Sequence, residues 1–289
     1  MLVKPFGFLG AQGGGWDPTV GGTLTVEHHW DWTDSDTMTL SVTGNGASAS
    51  GSFVANITDK VGGEVMHPVN GPTGNALKIT TTGSYNETLG ATYLSGSPYQ
   101  VSDNWLPATL NTATDWSVVM IMGSEDWTRY ATNQQRAFWY ARSNETNGYD
   151  NLLAFMKRGG WLGTSTCTGS GVNEVGMAIY DGGGWGTPVS RDYTDTEVDT
   201  MADPDVYQYS YDQANTQYNF TRNGEDKCNF TRSATPTANG EGLCIGGGPI
   251  GLNEKNCFEG MIYQFVVYSQ QLNQDQMDSI NSSWVSFRS

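Results

Sequence analysis

The clearest pattern in the sequence is a change of hydrophobic period near the C-terminus. Residues 261–268 are almost all β-branched, aromatic or long apolar, and neither alternating set is mainly polar. Both faces of such a strand must be covered, which predicts a core strand. Asn273 and Gln276 then have the spacing of a helix N-cap and its reciprocal partner. Met277, Ile280 and Trp284 share one face of the short helix that this pattern predicts.

The rest of the chain is predicted to be strands and turns. Short apolar or alternating segments are separated by Gly, Asn, Ser and Thr, and 37 of the 289 residues are glycine. This is the pattern of many short strands joined by tight turns. The length suits one large β domain or two smaller ones. The segments predicted as strands include residues 53–57, 63–66, 76–81, 117–122, 137–141, 151–156 and 175–180.

Four segments resemble concanavalin A-like, laminin-G-like jelly rolls. Residues 258–284 resemble the closing strand and helix of that family, with Gln264 where an acidic residue is usual. Residues 207–212 and 218–224 are similar to its paired strands that end in an Asn-Gly hairpin, and residues 243–247 to a strand that ends in glycine. Residues 29–32 and 71–79 resemble its opening strands. The resemblance covers roughly residues 26–286. It implies an all-β fold, a jelly-roll sandwich of two antiparallel sheets over residues 23–289, with a short C-terminal helix.

Residues 1–22 are predicted to form a flexible N-terminal arm. They mix apolar side chains with Pro and Gly in no period, so the segment cannot fold alone. We expect it to dock on a neighbouring subunit, with a disordered tail as the alternative. The arm resembles those of structural proteins from tailed bacteriophages. The side chains expected to dock are Leu2, Val3, Phe6, Phe8 and Leu9.

The charge of the chain argues against one class of partner. Thirty acidic and 14 basic residues give a formal net charge of −16, which a phosphate backbone would repel. No apolar run reaches the ~20 residues of a membrane span, so membrane insertion is not expected. The N-terminus has no signal-peptide pattern. We therefore expect synthesis in the host cytoplasm without a signal peptide.

The four cysteines lack the close paired spacing of zinc ligands. Cys244 and Cys257 bracket a glycine-rich segment, and a bridge between them is one alternative. Buried thiols are the other, and the expected one in a protein made in the cytoplasm.

Two acidic segments raise the question of calcium. Asp31, Asp34 and Asp36 lie in one turn, and several aspartates lie between residues 192 and 205. The first segment lacks the glycine and final glutamate of an EF-hand loop, so a solvated turn is expected there. No metal site or cofactor is predicted, and calcium is kept as the alternative. The three histidines, His28, His29 and His67, are expected at the surface or at strand edges.

One segment resembles a glycoside hydrolase motif only in part. Laminarinase-type hydrolases, which share this jelly roll, carry Glu-x-Asp followed by a second Glu on one strand. Glu197 and Asp199 are similar to the start of that motif, but Met201 and Ala202 stand where the second Glu would be. Retaining hydrolysis needs two carboxyl groups about 5 Å apart, one of them a general acid. The chain is therefore expected not to be an enzyme.

Glycan binding without catalysis is a further hypothesis. Sugar sites use exposed aromatic faces beside carboxylates or amides on loops. Aromatic and acidic residues in glycine-rich or acidic segments fit this description, although packing under loops or in a subunit contact explains them as well. The candidates are Trp161, Asp181, Trp185 and Tyr193.

Together these observations predict a non-catalytic structural component of a virion, such as a capsid decoration, fibre or appendage protein. It would form a homo-oligomer, dock on capsid or appendage subunits through its arm, and display a lectin-like sandwich that touches host surface glycans. The alternatives are a separate carbohydrate-binding, lectin-like module and a divergent glycoside hydrolase.

Overall fold

The computed structural model describes residues 16–41, 53–68, 78–80, 83–86, 99–102, 105–110, 114–124, 135–141, 151–157, 167, 173–180, 189–194, 196–197, 204–231, 242–246 and 260–288. These residues form seventeen strands, a 3-10 turn (Ser35–Thr37) and one α-helix. The elements are β1 (Val26–Asp31), β2 (Met38–Ser41), β3 (Phe53–Thr58), β4 (Val65–Pro68), β5 (Lys78–Thr80), β6 (Gly83–Asn86), β7 (Tyr99–Gln100), β8 (Trp116–Ser124), β9 (Gln135–Ala141), β10 (Asn151–Lys157), β11 (Asn173–Tyr180), β12 (Val189–Tyr193), β13 (Asp205–Asp212), β14 (Gln217–Arg222), β15 (Glu225–Thr231), β16 (Leu243–Ile245), β17 (Gly260–Tyr268) and α1 (Gln274–Arg288).

The strands form two antiparallel sheets. In sheet A the order is β15–β14–β13–β8–β17–β1. Strand β6 lies on the same side of β17 as β1 and pairs with the first residues of β17. In sheet B the order is β12–β11–β10–β9–β16–β7–β4. Strands β5, β3 and β2 follow β6 in sheet A, and β4 pairs with β3, so β4 connects the two sheets. This all-β sandwich with one C-terminal helix confirms the predicted fold class.

The predicted core strand is β17, and both of its faces are buried. Phe265 and Val267 belong to the cluster between the two sheets. Val266 and Tyr268 point to the opposite face of sheet A and belong to a second cluster. Because successive side chains of a strand point to opposite faces, a strand covered on both sides must be apolar at almost every position.

The space between the sheets is filled mainly by aromatic side chains. The Trp139 ring lies 5.5 Å from that of Tyr209 and 6.2 Å from that of Phe265, so residues of both sheets meet there. Trp30 contacts Phe265 from the neighbouring strand. Buried aromatic rings give large apolar contact areas, which explains much of the aromatic content of the chain without reference to function.

Helix α1 covers the outer face of sheet A, and its N-terminus has the predicted capping box. The Asn273 side chain accepts a hydrogen bond from the Gln276 N–H (3.0 Å), and the Gln276 side chain accepts one from the Asn273 N–H (2.8 Å). Met277, Ile280 and Trp284 are buried on one face, as predicted. They pack on outward residues of β8 and β17. No helix in the described part of the chain is both long and apolar enough to cross a membrane.

The last residues of the predicted arm pack on this helix. The Trp16 ring lies 5.8 Å from the Trp284 ring, and Trp16 Nε1 donates to Ser283 Oγ (3.0 Å). The Tyr268 hydroxyl donates to the Pro18 carbonyl (3.0 Å). Residues 16–22 therefore contact their own domain. The expected docking side chains, Leu2, Val3, Phe6, Phe8 and Leu9, lie outside the described residues.

A disulfide between Cys167 and Cys228 corrects the expectation of four buried thiols. The backbone of Cys167 forms an isolated β-bridge with Arg191 of β12. Strand β12 lies against β15, which carries Cys228. The two Cα atoms are 5.6 Å apart, within the range that a disulfide spans. Because the pair is 61 residues apart in sequence, only the arrangement of the strands brings it together. Cys244 is buried on the outer face of sheet B, and Cys257 lies outside the described residues.

We predict that Trp284→Ala destabilises the protein by roughly 3–5 kcal/mol, because the change leaves a cavity between α1 and sheet A. The free energy of unfolding from urea titration measures the effect. Val285→Ala is the matched control, because the neighbouring Val285 is 61% exposed and its loss should change stability by less than about 0.5 kcal/mol. Equal, small effects of the two changes would contradict the packing of α1 on sheet A.

Candidate functional site

A polar cavity of about 150 Å³ lies on the outer face of sheet A, beside the N-terminal end of α1. Strands β13, β14 and β15 form its floor, and residues 271–277 form one wall. The volume is sufficient for several water molecules or one small polar ring. The residues that line it are Gln208, Ser210, Asn219, Thr221, Lys227, Cys228, Asn229, Gln271, Leu272, Gln274 and Met277.

Strand alternation directs the polar side chains to this floor. On β13, Tyr207, Tyr209 and Tyr211 enter the core between the sheets, so Gln208 and Ser210 point outward. The same alternation on β14 buries Tyr218 and Phe220 in the core and turns Asn219 and Thr221 outward.

The register brings these outward positions side by side. Gln208 is opposite Thr221, and Ser210 is opposite Asn219, which is opposite Asn229 on β15. Amide and hydroxyl groups from three strands therefore form one surface. The sequence analysis missed this site. The sequence pattern that could have indicated it is an alternation on β13 and β14, in which the inward positions are aromatic and the four outward positions carry an amide or a hydroxyl.

The hairpin turn between β14 and β15 fixes the position of the helix wall. Asn223 and Gly224 form this turn with φ angles of 54° and 72°, the left-handed conformation that an Asn-Gly turn supplies. The Gln274 Nε2 group donates to the Gly224 carbonyl (2.7 Å) and to the Asp278 carboxylate (2.6 Å). The positive φ of Gly224 is what favours glycine here, since the atoms nearest to an added Cβ are the ends of the Asn281 and Asp278 side chains, which can move. The predicted Asn-Gly hairpin is confirmed.

Two buried polar atoms of the cavity lining make no hydrogen bond in the described part of the protein. One is Asn219 Nδ2, a donor, and the other is Gln274 Oε1, an acceptor. The Gln274 amide cannot simply be reversed, because its nitrogen already donates to two oxygen acceptors. Since nearly all buried polar groups in proteins are paired, each of these two atoms retains an unused hydrogen-bonding capacity.

Of the predicted glycan-binding residues, the structure describes only Tyr193, which does not line this cavity. Tyr193 is buried, and the guanidinium of Arg222 lies 5.5 Å from its ring centre. This corrects the expected exposure of Tyr193, whose side chain enters the core because it sits at an inward position of β12. Trp161, Asp181 and Trp185 lie outside the described residues.

The two strands that precede these three residues, β10 and β11, finish at opposite ends of sheet B. Lys157, the last residue of β10, pairs with Glu174, whereas Tyr180, the last residue of β11, pairs with Asn151. The last residues of β10 and β11 therefore lie at opposite ends of the sheet.

Glu197 forms a reciprocal pair of hydrogen bonds with Thr194, just after β12. Its carboxylate accepts a hydrogen bond from the Thr194 N–H (2.6 Å), and the Thr194 hydroxyl accepts one from the Glu197 N–H (3.2 Å). These hydrogen bonds lower the pKa of Glu197. A carboxylate in this state is a poor proton donor, and it does not lie on a strand as the hydrolase motif requires. Asp199, Met201 and Ala202 lie outside the described residues.

One group of side chains in the described part of the chain has metal-ligand geometry. The ligand atoms of His28, Asp59 and Glu64 lie within 4.8 Å of one another. His28 Nδ1 is 2.6 Å from an Asp59 oxygen and 3.4 Å from a Glu64 oxygen, and Glu27 lies 3.6 Å from Nε2. His28 and His29 are buried, but they lie on β1, the last strand in the order of sheet A, whereas His67 is exposed on β4.

The charge state of His28 favours an ion pair over a metal ligand. Burial opposes its charged form, but the hydrogen bonds to Asp59 and Glu27 outweigh burial and raise the pKa of His28 to about 9. Metal binding requires the neutral imidazole, so a metal would have to displace this proton. Asp59 also accepts the backbone N–H groups of His29, Val61 and Gly62. The group therefore fastens β1 to the β3–β4 connection.

The turn that begins at Asp31 contains a charge network in which Asp31 is the buried member. Asp31 is fully buried, and Lys60 Nζ lies 3.3 Å from its carboxylate and 2.9 Å from that of Asp34. The Gln264 amide donates to Asp31 (2.7 Å) and accepts from His29 Nε2 (2.7 Å). The expectation of a solvated turn is therefore wrong for Asp31, whereas Asp36 is exposed as expected. The Lys60 ammonium supplies the positive charge next to these carboxylates.

Comparisons with known proteins support the fold. No protein-family model and no curated protein matches the chain. A sialidase from Trypanosoma rangeli, in complex with 2,3-difluorosialic acid, matches over 91% of this chain and 34% of its own, with 11% identity and a TM-score of 0.52. The CBM40 of the Ruminococcus gnavus IT-sialidase matches over 64% of this chain and 92% of its own, with 16% identity and a TM-score of 0.44. The same module bound to α2,3-sialyllactose has 14% identity over 66% of this chain and all of its own, with a TM-score of 0.43.

The class defined by these observations is an antiparallel β-sandwich of the jelly-roll type. The likeness to the sialidase covers about a third of that protein and reaches only 11% identity, so it shows the fold alone.

We predict that His28→Gln makes the free energy of unfolding less dependent on pH between about 6.5 and 9. The pKa of His28 is about 9 in the folded protein and 6.5 ordinarily. Because the folded value is the higher one, the stabilisation is fully present below about pH 6.5 and is lost as the pH rises through 9. Between those values the free energy of unfolding should fall by on the order of 2–3 kcal/mol in the wild type. Urea titration at a series of pH values measures this slope.

His67→Gln is the control, since His67 is exposed on β4 and should leave the slope unchanged. The ion-pair interpretation would be wrong if His28→Gln and the wild type lost stability in parallel between pH 6.5 and 9.

Proposed function

We propose that this chain is a non-catalytic carbohydrate-binding β-sandwich, and that the cavity between α1 and sheet A holds one sugar residue. The observation that carries the proposal is the pair of unbonded polar atoms, Asn219 Nδ2 and Gln274 Oε1, in the lining of one cavity. Such a lining selects a ligand by hydrogen bonds.

A sugar fits the chemistry of these two atoms. Asn219 Nδ2 can only donate a hydrogen bond, and Gln274 Oε1 can only accept one. A hydroxyl group does both, and a sugar ring presents several hydroxyl groups around an apolar ring face. The lining has the matching composition, because amides and hydroxyls surround the apolar side chains of Leu272 and Met277. A purely apolar ligand would leave the polar atoms unpaired, at a cost of about 1–3 kcal/mol for each.

The lining also argues against hydrolysis at this site. Cleavage of a glycosidic bond normally requires two carboxyl groups flanking it. None of the described residues that line the cavity is an aspartate or a glutamate. The amides and hydroxyls present can hold a sugar but cannot protonate a leaving group at neutral pH.

The virion interpretation stays a prediction. Docking through residues 1–9, homo-oligomer formation and a location in a particle all depend on residues or partners outside the described structure. The proposed sugar site does not require them, since it lies on the sandwich itself. A module of this kind could work alone or as part of a larger assembly.

We predict that the purified protein binds sugars and that Asn219→Ala and Gln274→Ala each weaken binding about tenfold, because each change removes one partner of a buried hydrogen bond. A glycan array identifies ligands, and titration calorimetry with the strongest ligand gives the affinities. Urea titration confirms that each variant is folded.

Gln213→Ala is the matched control, because Gln213 is an exposed glutamine in the β13–β14 turn and does not line the cavity. Its affinity should equal that of the wild type. Absence of binding to every glycan on the array would overturn the proposal, and so would wild-type affinity in both cavity variants.

A further inference from the structure

We infer that the sugar held in this cavity is an acidic one, with its anionic group facing Lys227. The inference rests on the proposed function and adds the charge of the ligand. It is drawn from the distribution of charge around the cavity, which differs sharply from that of the whole chain.

The lining has the opposite charge to the rest of the protein. The chain carries a formal net charge of −16, with about two acidic residues for each basic one. The described residues of the lining include one lysine and no carboxylate. Asp275 and Asp278 lie in the first turn and a half of α1, but neither lines the cavity. An acidic protein thus has a local positive site beside hydrogen-bonding groups.

Lys227 has no ion-pair partner in the described part of the chain. Lys60 and Arg222, by contrast, pair with carboxylates at 2.9 Å and 2.7 Å. Lys227 is exposed, so its ammonium group is accessible to a ligand. A lysine without an internal partner is a common point charge for an anionic group.

The position of Lys227 places its charge next to the proposed sugar contacts. Cys228 points into the core, so Lys227 and Asn229, on either side of it, point outward on the same face. Asn229 is directly opposite Asn219, whose Nδ2 is one of the unbonded atoms. A ring that bonds to Asn219 would therefore lie in a cavity that Lys227 also lines.

The helix adds to this preference. The cavity lies at the N-terminal end of α1, where Gln274 is the first helical residue. The N-terminus of a 15-residue helix carries a partial positive charge, which favours anions within its first turn. The ammonium and the helix end act on a ligand anion in the same direction, whereas the Asp275 and Asp278 carboxylates, which lie outside the lining, act against them.

The test compares acidic sugars with their neutral counterparts by titration calorimetry. 3′-Sialyllactose is compared with lactose, glucuronic acid with glucose, and 6-sulfated galactose with galactose. An ion pair at a partly exposed site should give about a fivefold preference for the acidic member of a pair. The three pairs distinguish a carboxylate on a sialic acid, a carboxylate on a uronic acid and a sulfate.

Lys227→Gln should abolish this preference, whereas Lys227→Arg should keep it. Wild type and variants are compared at the same ionic strength, because the net charge of −16 repels every anion in a salt-dependent way. An acidic preference that persists in Lys227→Gln would overturn the inference.

Two outcomes separate this inference from the proposed function. If the wild type binds neutral and acidic sugars equally, the inference fails and the proposed function stands. If it binds no sugar of either kind, the proposed function fails and the inference fails with it.

Discussion

The structure depends on the burial of both faces of sheet A. Its inner face packs on sheet B, and its outer face packs on α1 and on residues 16–24. The helix has a single apolar stripe, which contains Met277, Ile280 and Trp284. A stripe of this width covers only part of a wide sheet. The helix leaves the remaining part of the outer face uncovered, so polar side chains are expected there.

The outward side chains change character where the helix begins. Val119 and Val266, on the central strands, are apolar and lie under the helix. Gln208 and Asn219, on the neighbouring strands β13 and β14, are polar and line the cavity. The cavity therefore lies where an apolar helix face meets a polar sheet face. Its position follows from the apolar pattern of α1, from the polar outward pattern of β13 and β14, and from the residue at which α1 begins.

Local patterns made much of the fold predictable. The change of period, the capping box at Asn273 and the Asn-Gly turn each depend on residues within about four positions of one another. Such features survive in any tertiary context that keeps the element, which explains why the sequence analysis identified them.

Contacts between distant residues could not be predicted in the same way. The His28–Asp59 pair joins residues 31 positions apart, and the Gln264–Asp31 contact joins residues 233 apart. Both depend on which strands are neighbours and on their register, and a shift of one residue would turn every side chain to the other face. The burial of Tyr193 has the same origin, because its exposure depends on the face of β12 to which it is assigned.

The cavity lining is difficult to explain by stability alone. The unpaired Asn219 Nδ2 and Gln274 Oε1 atoms each cost stability when buried, whereas apolar residues at these positions would extend the contact between α1 and the sheet. Gln274 also serves the fold through its nitrogen, which holds the Gly224 turn, but its oxygen gains nothing from that bond. Lys227 lies on the same surface with no internal partner among the described residues. Three groups that add little to the folded protein converge on one cavity, and a hydroxylated, negatively charged ligand would engage all of them.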